Sequence, residues 1–204
     1  MKPGFPRLHA ITDEAVARRP DLDQIARALA AAGGASLAFH ARGHSLSGIE
    51  HYDLAVRLSV YPPAPLVVND RLDVALAAGA AGVHLGAGGL PVAAARALSA
   101  DWWIGKSVHG WDEARAALAA GADYLVVGPV YGTPSHPGRA PLGVEAFRTI
   151  AGLGAPVLAI GGVTAARVPE LRRAGAAGVA AIRALWDAAD PAASVRQMLE
   201  AWNE

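Results

Sequence analysis

Short apolar runs recur along the chain at residues 8–11, 36–40, 66–68, 82–85, 103–105, 124–127, 157–160 and 179–182. They are apolar on both faces, the pattern of strands covered by helices on either side. Between them, Ala-, Leu- and Arg-rich segments such as 22–32, 74–78, 92–98, 111–120 and 168–174 carry helical spacing. Several close on the same punctuation, Ala32-Gly33, Ala78-Gly79, Ala120-Gly121 and Ala174-Gly175. Glycine suits a helix C-terminus because it accepts positive φ without a side-chain clash. Eight even strand–helix alternations predict a parallel sheet closed into a (β/α)8 TIM barrel of near-minimal size, one domain over 1–204. An open doubly wound sheet fits less well, since no early Gly-x-Gly-x-x-Gly phosphate loop is present.

Composition narrows the function classes. The 204 residues carry 18 basic and 18 acidic side chains, with no electrostatic footprint for nucleic acid. No apolar run approaches the ~20 residues needed to span a bilayer, so no membrane partner is expected. The first residues lack the charged start and apolar stretch of a signal peptide. With no Cys, disulfides, thiolate metal sites and thiol nucleophiles are excluded. A cytoplasmic location is the expectation. Trp186 and Trp202, late in the chain, suggest a possible homodimer, or simply packing onto the barrel.

Parallel α/β enzymes build their sites just past the carboxyl ends of the strands. There the chain places Gly105-Lys106-Ser107-Val108-His109, Gly128, and Gly161-Gly162. His109 is the first catalytic candidate, because an imidazole exchanges protons near neutral pH; its competing reading is a cap for the helix beginning near Trp111. His40 and Arg42 lie at the exit of the second strand. Asn69 and Asp70 follow the third, where they could bind ligand, cap the helix starting at Arg71, or do both. Gly161 and Gly162 follow the seventh, a frequent phosphate site in barrels, and Arg183 follows the eighth. The loop 131–141 is rich in Pro and Gly, and could close over a ligand through Thr133, Ser135, His136 and Arg139. His9 and His84, inside apolar runs, read as core imidazoles.

Taken together, Leu8-His9-Ala10-Ile11-Thr12-Asp13, Val68-Asn69-Asp70-Arg71-Leu72-Asp73, Gly82-Val83-His84-Leu85-Gly86, Ser107-Val108-His109, Gly128-Pro129-Val130-Tyr131-Gly132-Thr133 and Ala159-Ile160-Gly161-Gly162-Val163 resemble one superfamily. It is that of thiamine phosphate synthase and thiazole tautomerase, and the similarity runs from about Leu8 to Trp186. The resemblance implies a barrel of thiamine biosynthesis with a thiazole phosphate ligand. Its synthase branch joins a pyrimidine methyl pyrophosphate to a thiazole phosphate. That branch uses Mg²⁺ on two Asp, a Gln-Arg-Lys set and a further Lys. Asp70 stands at the first metal position, but the second falls on Gly89. Arg42 is kept, while His40 and His44 replace the Gln and Lys, and His136 replaces the further Lys.

The tautomerase branch shifts a proton on a carboxythiazole phosphate and needs neither metal nor leaving-group cations. A His after Ser-Val, here His109, belongs to that branch, as do the opening Leu-His-Ala-Ile-Thr-Asp and a His two residues before the Arg. Asp70 fits the synthase better. The resulting expectation is a metal-independent thiazole tautomerase without cofactor. His109 would act as general acid/base, with Arg42 and His40 on the substrate carboxylate and Gly161, Gly162 and Arg183 on the phosphate. Asn69, Asp70, Ser107, Gly128, Thr133, Ser135 and His136 would be further substrate contacts. The alternative is thiamine phosphate synthase, with Asp70 on Mg²⁺; a second is a non-catalytic thiazole-phosphate-binding regulator.

Overall fold

The computed structural model describes residues 4–133, 138 and 140–204. Eight parallel strands, β1 (Leu8–Ile11), β2 (Leu37–Ala41), β3 (Leu66–Asn69), β4 (Gly82–Leu85), β5 (Trp103–Val108), β6 (Tyr124–Val127), β7 (Val157–Ile160) and β8 (Gly178–Ala181), pair in sequence order and close where β8 meets β1. The helices are α1 (Glu14–Ala17), α2 (Leu22–Gly33), α3 (Gly48–Ser59), α4 (Leu72–Ala77), α5 (Val92–Leu98), α6 (Trp111–Ala119), α7 (Val144–Ala151), α8 (Val168–Arg173), α9 (Arg183–Trp186) and α10 (Pro191–Asn203). The barrel expected from the eightfold alternation is the fold. Gly79, Gly121 and Gly175 take the positive φ expected of them, but at the end of α2 that conformation falls on Gly34 (φ 50°). Gly33 stays helical, and its Cα faces the Leu37 side chain, where a Cβ would lie 2.5 Å away.

Closing the sheet divides its side chains into two sets. One set, including Leu8, Phe39, Val68, Leu85, Ile104, Val108, Leu125 and Val179, packs against the helices in the main apolar core. Burying each such side chain contributes roughly 1.5–3 kcal/mol. Trp186 and Trp202 belong to this layer, with Trp186 6.1 Å from the Phe39 ring and Trp202 under Arg7. They therefore give no cue to a dimer.

The other set lies within the barrel, and it is not the apolar filling expected of strands read as apolar on both faces. Tyr124, Val126 and Leu158, with Phe5, Trp103 and Ile160, form a separate small cluster. Beside it stand three buried imidazoles, His9, His40 and His84. Gly105 makes room for this layer, because a Cβ there would lie 2.1 Å from Tyr124 Cζ. His9 Nε2 donates to the Pro6 carbonyl at 3.2 Å, and 2.8 Å separates His9 Nδ1 from His40 Nε2. His40 Nδ1 lies 3.3 Å from Asn69 Oδ1. Burial holds His40 down to about 4, despite its hydrogen bond to Asn69. His9 and His84 are also held well below the ordinary imidazole value, first by burial and then by the charge on His40.

Two predictions follow from this interior. A folded pKa below the unfolded value of 6.5 means that the unfolded chain binds protons first as pH falls. The stability present above pH 6.5 is then lost on descending toward pH 4, with His40 alone accounting for about 2–3 kcal/mol by pH 4.5. Urea unfolding at pH 7.5 and 4.5 should show this loss, and His40→Gln should reduce it. Gly105→Ala should destabilise by about 1–3 kcal/mol through overpacking on Tyr124, read from the urea midpoint at constant m-value.

Candidate active site

Two adjoining cavities, of about 590 and 400 Å³, open at the carboxyl ends of the strands. The larger is lined by Arg42, Asn69, Asp70, Ser107, His109 and Gly128 among others. The smaller is lined by Thr133, Gly161, Gly162, Thr164, Arg167 and Arg183 among others. Ile160, Gly161, Ile182 and Arg183 border both, so the two are compartments of one site.

His109 sits in the larger compartment, one residue past the end of β5. Its Nδ1–H donates to the Gly128 carbonyl at 2.7 Å, which puts the basic lone pair of the neutral ring on Nε2. The helix cap of α6 is Gly110, and the His109 backbone N–H donates instead to Glu113 Oε2 at 2.8 Å. The capping reading of the imidazole therefore does not hold. Ser107 Oγ lies 2.7 Å from His84 Nε2. His84, read from sequence as a core imidazole only, also borders the cavity. Its inward position on β4, in register with Gly105, was the signal available for it.

Arg42 is held at the mouth of β2 through Thr12, whose Oγ1 accepts from the Arg42 N–H and donates to the Arg42 carbonyl, both at 2.8 Å. Its guanidinium donates to His44 Nε2. His40 does not join it in the cavity. It is fully buried as the inward neighbour of His9 and touches Asn69 from behind, one layer below the cavity lining.

Asn69 and Asp70 both border the cavity, and neither caps α4, which has no side-chain cap at Arg71. Asp70 has φ 59°, the one non-glycine residue with positive φ among the described residues. Such a conformation costs on the order of 1 kcal/mol and collects at functional sites. It turns the carboxylate onto the loop after β4, where Oδ1 accepts the Gly86 N–H at 2.7 Å.

The same corner decides how well Mg²⁺ would fit. A hard cation of this kind takes one or two carboxylates besides substrate phosphate oxygens. Gly89 faces Asp70 so closely that a Cβ on it would lie 2.5 Å from Oδ1, yet it brings no carboxylate. Lys106 donates to the Gly86 carbonyl at 2.6 Å, setting an ammonium on the same loop. The other acidic groups bordering the cavity are engaged: Asp13 with Arg183 and the Val16 N–H, and Glu14 with the Ser45 N–H. No metal-holding cluster of three His, Asp, Glu or Cys occurs among the described residues. The residues do not fit a two-carboxylate metal site.

In the smaller compartment Gly161 (φ 93°) and Gly162 (φ 64°) both need left-handed backbone. A Cβ on Gly161 would also strike Pro129 at 2.5 Å, so the close approach of the β6 loop adds a second reason for glycine. Arg167, which the sequence reading missed, donates to the Gly162 carbonyl at 2.5 Å and stacks 4.2 Å from the Tyr131 ring. Arg183 borders both compartments and is paired with Asp13 at 2.9 Å and Asp187 at 3.1 Å. Thr133 borders this compartment. Ser135, His136 and Arg139, and with them the closure expected of the 131–141 loop, lie outside the described residues.

The family described as thiamine monophosphate synthase matches residues 8–185. A thiamine-phosphate synthase of Salinispora tropica is 47% identical over 201 residues, 96% of either chain. A thiamine-phosphate synthase of Chloroflexus aurantiacus is 38% identical, over 94% of this chain and 90% of its own. The solved thiamine phosphate pyrophosphorylase from Pyrococcus furiosus superposes with a TM-score of 0.82 at 29% identity, over 97% of this chain and 95% of that one. These likenesses favour the synthase over the tautomerase expected from the Ser-Val-His motif. With the barrel, the strand-end site and near-complete coverage in agreement, the chain belongs to the thiamine monophosphate synthase family.

Proposed function

We propose that this protein is a thiamine-phosphate synthase, coupling a pyrimidine methyl pyrophosphate to a thiazole phosphate. The observation that carries this reading is the 47% identity to a thiamine-phosphate synthase over 96% of both chains. The two joined compartments support it, since coupling needs two ligands side by side and a tautomerase needs room for one.

In this reading the thiazole phosphate enters the smaller compartment, with its phosphate against the Gly161-Gly162 turn, where no side chain blocks the backbone. The pyrimidine pyrophosphate occupies the larger one. The bond from the thiazole nitrogen to the pyrimidine methylene carbon forms as the carbon–oxygen bond to pyrophosphate breaks. Negative charge grows on the departing pyrophosphate, and Arg42, oriented through His44 and Thr12, is the fixed cation beside it. No protein group needs to transfer a proton in that step.

A second reading, the tautomerase, keeps one specific observation in its favour. His109 presents a basic Nε2 in the same cavity whose acidic corner lacks a second carboxylate. The readings separate in one NMR time course containing thiazole phosphate, the non-aromatic carboxythiazole phosphate tautomer, pyrimidine pyrophosphate and Mg²⁺. Thiamine phosphate should appear. Aromatisation of the ring with no coupled product would transfer the assignment to the tautomerase, and binding without turnover would leave a regulator.

Two variants carry the mechanism further. Arg42→Ala should lower kcat for coupling by roughly 10²–10³-fold, as expected on losing a donor to developing charge. His109→Ala should slow coupling by no more than roughly tenfold. A loss of ~10²–10⁴-fold would instead mark it as the acid/base of a proton shift.

A further inference from the structure

Helix α3 carries two apolar stripes, and the barrel uses only one of them. His51, Leu54, Ala55 and Leu58 form the buried face. Ile49, Tyr52, Val56 and Val60, spaced three, four and four residues apart, fall together on the opposite face, which is turned to solvent. Only eight large apolar side chains are exposed among the described residues, so four on one helix face is a concentration and not scatter. Leu76, on the neighbouring α4, is a fifth. None of the five borders the strand-end cavities.

Two features of the stripe identify its occupant. The first is its nearly palindromic form. Ile49 and Val60, at the two ends, are 66% and 61% exposed, and Tyr52 and Val56, in the middle, are 36% and 38% exposed. Read backwards, the stripe presents nearly the same surface, which is what an isologous two-fold contact requires. The second is charge. Glu50, Asp53 and Arg57 follow one another along the flank of the stripe that faces α2, where Arg57 meets Asp23 at 2.9 Å. Two antiparallel copies of α3 bring the acidic start of this flank toward Arg57 of the other copy, twice by symmetry. Antiparallel alignment also places helix ends of opposite partial charge side by side. A parallel alignment has neither advantage.

We propose that this face of α3 is where two copies of the chain associate, with their α3 helices antiparallel across a two-fold axis. Ile49 of each copy packs against Val60 of the other, and Tyr52 and Val56 meet their counterparts around the axis. A helix of 12 residues is about 18 Å long, so the two helices and their flanks cover less than the roughly 1,600 Å² of a standard stable interface. The dimer is therefore a weak one, with Kd on the order of 10⁻⁵ M.

Sedimentation velocity of the intact protein over about 1–200 µM should show the mean mass rising toward twice that of the monomer. Val56→Glu, which sets a carboxylate in the middle of the stripe, should weaken association by about tenfold or more, with circular dichroism and kcat unchanged. Charge supplies the stricter test. Asp53→Arg and Arg57→Glu should each weaken self-association. Mixed together, they should form a heterodimer about threefold or more tighter than either homodimer, because each flank then meets its opposite. A monomeric mass at every concentration would overturn the proposal, and so would a dimer that Val56→Glu leaves intact. A heterodimer no tighter than the homodimers would remove the antiparallel arrangement. The contact lies on the side of the barrel, so none of these outcomes depends on which reaction the site runs.

Discussion

Closure of the parallel sheet is the constraint on which the rest depends. Once β8 pairs with β1, every second strand residue is committed to a narrow interior that the helices cannot reach and that opens at the carboxyl-end cavity. In most barrels branched aliphatic residues fill that space. This chain fills its lower part with Phe5, Trp103 and Tyr124, whose rings lie 5.2–5.5 Å apart where Phe5 meets the other two. Above them it places imidazoles. A polar group in that position is costly unless its hydrogen bonds are met from within; His9 and His40 meet theirs with one another, Pro6 and Asn69, whereas His84 Nδ1 and the Tyr124 hydroxyl have no hydrogen-bond partner among the described residues. The same enclosure keeps the rings uncharged, so that the interior stores no net charge beneath the site.

Charge in the site is therefore carried by its rim. Arg42 and His44 stand at the end of β2, and Asp70 stands against the loop after β4. At the junction of the two compartments Arg183 pairs with Asp13 and with Asp187, which is also paired with Arg19. Partly exposed pairs of this kind contribute about 0–1 kcal/mol of stability. Their consequence here is geometric, since the pair fixes the β8 loop against the β1 loop and keeps the shared wall in place.

Much of this was legible along the chain. Four of the eight strands, β1, β4, β6 and β7, coincide with the apolar runs read from sequence, because a strand buried on its outer face must be apolar at every second position. The placements of His109, Asn69, Asp70 and the Gly161-Gly162 turn were legible too, since position after a strand end fixes which mouth of the barrel a residue occupies. The pairings were not. Arg183 meets Asp13 across 170 residues, and His40 meets His9 across 31; only the closure of the sheet joins them. For the same reason Arg167 and His84 were missed. The tautomerase expectation leaned on a local motif, Ser107-Val108-His109, whereas the relatives favour the synthase, and the contact His109 makes with Gly128 does not distinguish the two reactions.

The corner at Asp70 shows how a single backbone conformation limits what the site can recruit. At φ 59° the carboxylate folds back onto the N–H of Gly86, and the loop can approach it only because Gly89 has no side chain. A carboxylate added at Gly89 would start from a Cβ already in contact with Asp70 Oδ1, so it could not be accommodated without moving Asp70 off the loop. Lys106, reaching the same loop from β5, adds one positive charge where a divalent cation would need negative charge in excess. The corner is thus nearly neutral by itself, and any metal drawn to it would have to be attracted chiefly by the oxygens of a bound pyrophosphate. In the proposed coupling, Arg42, held by Thr12 and His44 at the mouth of β2, is then a cation that the protein itself supplies to that anion.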